Sequence, residues 1–248
     1  MSKPLFKISL LFFVVLSFIT VIFNNEFALA NSDNLIFTQL TDGYWQVWKR
    51  GVNGDLKQLT YSQFDKRRPV SSSDRKKIIY RSGNREIFIF DSQSGTELQV
   101  LSKLGWMMDP IFFGSDNKII FSRFDSFLED DSDLWVADVN SAESEILLRK
   151  QGVEFGPSLS SDNSKLVYVG SQGFGKSELY LLDLKTKKEK QLTSNYTVEL
   201  YPSWSPDGEL IVYASDESGN FNIFSMNINS GVTVELQLNV DTGGVLGV

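Results

Sequence analysis

Four carboxylates, Asp65, Asp109, Glu154 and Glu199, fall in four comparable loops of the chain. Two carboxyl groups held ~5–10 Å apart can hydrolyse a glycosidic bond as an acid and base pair, with no help from histidine. That matters because the sequence contains neither histidine nor cysteine. Their absence removes the usual general base near neutral pH, the Ser-His-Asp and Cys-His arrangements, thiolate metal sites and disulfides. A second acidic feature is the segment FDSFLEDDSD, with Asp125, Glu129, Asp130, Asp131 and Asp133. Calcium takes six to eight oxygens and could draw on such a run. The spacing is not that of an EF-hand and no glycine stands at the bend, so a solvated acidic loop is the preferred reading. No catalytic residue, metal or cofactor is assigned from these residues.

The loops carrying the four acids are YSQFDKRR, KLGWMMD, KQGVEFG and SNYTVELY. They hold more aromatic residues, methionine and charge than a turn requires, which is the composition of a binding surface. Phe64, Trp106, Met107, Phe155 and Tyr196 are the candidate anchors, flanked by Asp65, Arg67, Asp109, Glu154, Glu199 and Tyr201. The alternative for each anchor is burial beneath a neighbouring loop.

The elements that would position these loops are repeated. Pro69, Pro110, Pro157 and Pro202 lie 41, 47 and 45 residues apart. One aromatic closes a β-rich run in each unit, as Phe37, Tyr80, Phe121, Tyr168 and Tyr213. A second follows as Trp48, Phe88, Trp135, Tyr180 and Phe224, spaced 40, 47, 45 and 44. A Leu-Thr-like ending then recurs, twice as KQLT at Lys57 to Thr60 and Lys190 to Thr193. Such a period of short strands predicts a repeat array. Each unit reads as four strands, a to d. Strand a begins at the proline, which cannot donate to a ladder. Ser-Asp turns with Gly or Asn join a to b, because Asx side chains cap their own backbone and Gly or Asn accepts positive φ. Runs such as IFIF and LYLL are apolar on both sides, so each sheet must be covered on both faces. Four-stranded sheets stacked around an axis meet that demand, which predicts an all-β propeller with the repeated aromatics packed between blades. In such a fold the d–a and b–c loops share one face.

The unit PSWSPDGELIVYAS followed by GNFNIFSMN resembles the WD40-like repeat of the TolB-like propeller family, PD40. The resemblance runs from about Asn34 to Leu238 and implies a scaffold used by binding proteins and by accessory domains of enzymes alike. The resemblance would imply an α/β domain ahead of a six-bladed propeller, but residues 31–248 are expected to have no room for both. Five units are expected, at about 34–60, 61–102, 103–149, 150–193 and 194–248, the first lacking strand a. Gly243 to Val248 could supply that strand and close the ring; otherwise the array is open or truncated.

Residues 1–30 carry Lys3 and Lys7, an apolar run from Ile8 to Phe23 and Ala28-Leu29-Ala30, the pattern of a secretory signal cut after Ala30. The alternative is an uncleaved anchor. Cleavage leaves 22 basic against 30 acidic residues, net −8. Such a charge opposes nucleic-acid binding, and the single basic run, KTKKEK at Lys185 to Lys190, reads as a hairpin loop. The resulting expectation is a periplasmic or secreted, non-catalytic scaffold that binds a protein or another envelope ligand. The alternative is an extracytoplasmic carbohydrate-active enzyme using central carboxylates.

Overall fold

The computed structural model describes residues 34–101, 105–114, 117–124, 131–171 and 175–236. The expected signal segment, the candidate tail strand Gly243 to Val248, and Asp125, Glu129 and Asp130 lie outside them. The chain divides into two compact units, Met1–Pro157 and Ser158–Val248. Among the described residues every regular element is a strand. The first sheet has three strands, β1 (Asn34–Thr41), β2 (Tyr44–Gly51) and β3 (Leu56–Gln58). The other four have four each, in chain order across the sheet. They are β4 (Lys66–Ser71), β5 (Lys77–Ser82), β6 (Ile87–Asp91) and β7 (Thr96–Leu101); β8 (Trp106–Phe113), β9 (Lys118–Phe124), β10 (Asp133–Asp138) and β11 (Ser144–Leu148); β12 (Val153–Leu159), β13 (Lys165–Ser171), β14 (Glu178–Asp183) and β15 (Glu189–Gln191); and β16 (Glu199–Trp204), β17 (Leu210–Ser215), β18 (Asn222–Asn227) and β19 (Thr233–Glu235). These are the antiparallel blades of a β-propeller.

The second strand of each full blade is buried on consecutive residues, which covers both its faces: Ile78-Ile79-Tyr80, Ile119-Ile120-Phe121, Leu166-Val167-Tyr168 and Ile211-Val212-Tyr213. Within the first unit the alternation sends neighbours to different partners. Ile78, Tyr80 and Phe90 pack with Val47 of the first sheet. Ile79, Ile87 and Ile89 pack with Met107, Phe112, Ile119 and Phe121 of the third. The two repeated aromatics are direct cross-strand partners in all five sheets: Phe37 with Trp48, Tyr80 with Phe88, Phe121 with Trp135, Tyr168 with Tyr180 and Tyr213 with Phe224. Three of these pairs stack at 6.1, 5.5 and 5.9 Å between centroids. The ring of Tyr180 also explains Gly170, where a Cβ would come within 2.8 Å of it.

The shorter motifs are hydrogen-bonding devices. In both KQLT segments the Leu N–H donates to a strand carbonyl while the Thr Oγ1 accepts the same residue's N–H. Leu59 and Thr60 bracket Val47 at 2.8 and 2.9 Å, and Leu192 and Thr193 bracket Leu179 at the same distances. A threonine side chain thus extends the outer strand by one rung. At the a–b turns Ser72, Ser160 and Ser205 donate to Asp74, Asp162 and Asp207. Each aspartate in turn accepts a backbone N–H, from Lys76, Ser164 and Glu209, at 3.0 Å. Arg75, Asn163 and Gly208 take φ of 58°, 56° and 74° there. Asp91, Asp138 and Asp183 cap the hairpins between third and fourth strands in the same way, and KTKKEK lies in the last of these.

The proline does not begin strand a. Pro69, Pro110 and Pro202 sit inside β4, β8 and β16, at register shifts between Arg67 and Val70, Met108 and Ile111, and Leu200 and Ser203. A bulge leaves one residue without a ladder partner, so a residue with no N–H fits there. The residue before each proline is left-handed: Arg68 (54°), Asp109 (53°), Gly156 (59°) and Tyr201 (56°).

Two predictions follow from this packing. Tyr168→Ala, at a side chain with no exposed surface, should cost about 3–5 kcal/mol, whereas Leu98→Ala, at a residue 63% exposed, should leave the urea midpoint nearly unchanged. The turn hydrogen bonds hold Asp74, Asp91, Asp138, Asp183 and Asp207 below the ordinary carboxylate range and Asp162 down to about 2. Their stabilisation is full above the unfolded value near ~4 and is lost as pH falls through the folded values. Urea unfolding from pH 6 to pH 2 should therefore show the midpoint dropping below about pH 4, less steeply in Asp162→Asn.

Candidate functional site

The left-handed residues of strand a are tied to one another. In the first unit Asp109, 4% exposed, receives the Arg68 guanidinium on Oδ1 and the Gly156 N–H at 3.0 Å on Oδ2. One carboxylate thus links equivalent positions of three successive blades. Asp65 is likewise engaged, accepting from Arg67 at 2.8 Å and from the Trp45 N–H at 3.0 Å.

Three residues before each proline stands a buried side chain of changing chemistry: Lys66, Met107, Glu154 and Glu199. The backbones of Met107, Glu154 and Glu199 join adjacent blades. Ser132 receives the Glu154 N–H at 3.0 Å and donates its hydroxyl to the Glu154 carbonyl at 2.9 Å. In the second unit Ser177 treats Glu199 the same way, at 3.1 and 2.6 Å, and in the first the Arg85 carbonyl accepts the Met107 N–H at 3.3 Å. Lys66 Nζ donates to the carbonyls of Ser62 and Phe64 and lies 4.1 Å from the Phe64 ring. Burial lowers its pKa, against the pull of Glu97 and Asp65.

Glu154 is 2% exposed and its Oε2 has no hydrogen-bond partner. Burial pushes its carboxyl up to about 7; Lys150 opposes this, and Asp133 and Asp131 reinforce it. Glu199 is fully buried. Its Oε1 accepts from Thr197 at 2.7 Å and Ser215 at 3.2 Å, while Oε2 is unpartnered. Burial raises it, Thr197 and Asn195 pull it back, and Glu178 adds to the rise. The two glutamates are therefore interior acids rather than rim charges.

The candidate anchors separate by exposure. Met107, expected among the exposed ones, is 1% exposed and belongs to the core between the second and third sheets, because an apolar chain at this inward position has only that core to fill. Phe64 is half-buried against Phe88, 4.8 Å between centroids, and Phe155 and Tyr201 are half-buried too. Trp106 lies beneath the Arg85 guanidinium at 3.5 Å. Tyr196 is 74% exposed at φ 64°, with Lys176 Nζ 4.1 Å from its ring. Tyr61, on the corresponding loop of the first unit, is 71% exposed as well; it is not among the anchors expected from sequence, and its place directly after KQLT is the signal that marks it. Of the acidic run, Asp131 accepts the Gly152 N–H at 3.1 Å and Asp133 the Arg149 guanidinium at 2.8 Å. Among the described residues no group of three or more acids is placed to hold a metal ion.

With this geometry in hand the relatives are informative. The chain is a TolB-type β-propeller: the family profile for the TolB beta propeller domain, PD40, matches residues 105–242, and the chain belongs to that family. TolB from Acinetobacter baumannii matches at a TM-score of 0.72 and 18% identity, over 83% of this chain and 52% of that one. A putative TolB from Agrobacterium tumefaciens gives 0.65 and 15%, over 74% and 65%. An oligogalacturonate lyase in complex with manganese gives 0.62 and 17%, over 83% and 62%. Likeness at these identities is one of fold, and the chain spans about half the length of the A. baumannii protein. No curated protein matches it.

Glu154 supplies the prediction here. An acid raised by burial stabilises fully below its unfolded value, and that stability is lost as pH rises through the folded value. Between pH 6 and pH 8.5 the melting temperature of the parent should fall relative to Glu154→Gln. A difference constant with pH would show that Glu154 does not ionise in this range.

Proposed function

We propose that the chain is an exported, non-catalytic propeller that binds a protein or another envelope ligand through the loops entering strand a, in the periplasm of a two-membrane host. The observation that carries this reading is the division of labour in those loops. Asp65 and Asp109 are engaged in internal ion pairs, while Tyr61 and Tyr196 stay exposed. Large, stiff aromatic side chains lose little rotamer entropy on binding and dominate interface energetics. Among the described residues no helix is long and apolar enough to cross a membrane, and residues 1–30 carry the features of an export signal. Affinity capture from envelope extract tests the reading. A partner held by the parent and by Leu98→Ser, on an outer strand, but lost from the Tyr61→Ser/Tyr196→Ser double variant supports it. Identical capture by all three overturns it.

A carbohydrate-active enzyme is the second reading, favoured by Glu154, whose burial pushes its carboxyl up to about 7 and so towards the protonated form a general acid needs. Release of reducing sugar from a polysaccharide panel by the parent, abolished in Glu154→Gln, would support it. No release from any member would end it.

A further inference from the structure

Four arginines of the first unit converge. Arg67 of β4 stands directly opposite Arg81 of β5 in the ladder, an arrangement of like charges that opposes strand pairing. Arg68 follows at the left-handed bulge, and Arg85 lies in the turn after β5 with its guanidinium over Trp106. Arg67 is 5.2 Å from the Trp45 ring. The Arg81 Nε is buried and has no hydrogen-bond partner. Burial depresses the Arg81 pKa; Asp109 opposes this, and Arg68, Arg85 and Arg67 deepen it. Asp65 and Asp109 pair with Arg67 and Arg68. The nearby Glu86 instead accepts from Ser82 and Gln99.

The blade architecture does not require this charge. The positions equivalent to Arg67 hold Met108, Phe155 and Leu200, and those equivalent to Arg81 hold Ser122, Val169 and Ala214. Nor does the chain as a whole, which is net −7. Positive charge has been concentrated in one place of an acidic protein, at a local cost in pairing and desolvation, with the Arg67 and Arg68 side chains 21% and 24% exposed.

We propose that Arg67, Arg68, Arg81 and Arg85 form a binding site for an oxyanion, a carboxylate or phosphate group borne by the ligand. Planar guanidinium forks match such groups with paired, charge-assisted hydrogen bonds. A bound anion would relieve the Arg67–Arg81 opposition and give the Arg81 edge a partner. The site deepens the binding reading above and rests on it for the claim that the anion belongs to an envelope ligand.

Titration calorimetry of the full chain with citrate and, separately, inorganic phosphate tests it, with sodium chloride at matched ionic strength as control. Saturable binding of citrate alone assigns a carboxylate site, of phosphate alone a phosphoryl site, and of both a general oxyanion site. In each case Arg81→Gln and Arg85→Gln should weaken binding at least tenfold, and Lys185→Gln, in a hairpin of the second unit, should leave it unchanged. Should Arg81→Gln fail to fold, Arg85→Gln in the turn keeps the test decisive. Binding no greater than chloride's, or equal in parent and Arg85→Gln, overturns the proposal. Anion binding with no captured partner retains the site and removes the protein-binding reading; capture undiminished in Arg85→Gln, with no anion bound, does the reverse.

Discussion

Strands whose two faces are both apolar cannot lie at a surface, and every full blade of this protein has one. Ile119, Ile120 and Phe121 are consecutive and fully buried, so the sheet that contains them needs a neighbour on each side. The second sheet shows how the demand is met: Ile78 and Tyr80 turn to the first sheet, and Ile79 turns to the third. Tyr80 and Phe88 take part in the first of these contacts and Phe121 and Trp135 in the second, adding bulk, since an aromatic ring buries on the order of 150–250 Å². The charged turns that close the blades, with their serine–aspartate hydrogen bonds, can vary only within that frame.

The inner strand answers a different requirement. A proline within a strand breaks the ladder, and the left-handed residue before it re-aims the chain. For arginine or tyrosine that conformation is unfavourable by roughly 1–2 kcal/mol, so the surroundings must hold it in place. In the first unit the Arg68–Asp109–Gly156 chain does this, linking three blades at one level. Bulges recur beside functional sites because they redirect side chains, and here the residue at the bulge of β4 is Arg68.

Charge is distributed with the same economy. Acids at the turns are stabilised in their ionised form by backbone N–H groups, whereas Glu154 and Glu199, three residues before their prolines, are pushed towards the neutral form by burial. Side chains of one chemical type therefore serve opposite purposes, according to whether water or apolar packing surrounds them.

The period, the four-stranded unit, the turn chemistry and the recurrence of the aromatics were all legible in the sequence, because each depends on local geometry that repeats whenever the residues do; that the two aromatics of a unit face each other across neighbouring strands came from the register. Among the described residues the first sheet has three strands, and the sequence likewise shows no proline-marked strand ahead of Phe37. The position of the prolines inside strand a was not legible, since a bulge is a property of two strands in register. Nor was the burial of Met107, which depends on what the adjacent blade presents. Arg81 carried a faint signal, a charge where the matching blades hold Val169 and Ala214, but only the pairing of β4 with β5 sets it opposite Arg67. Sequence alone determined what each blade must look like, because hydrophobic periodicity and turn preference act over a few residues. Tertiary structure decided which side chains meet, because contacts between positions some 40 residues apart exist only once the blades have packed.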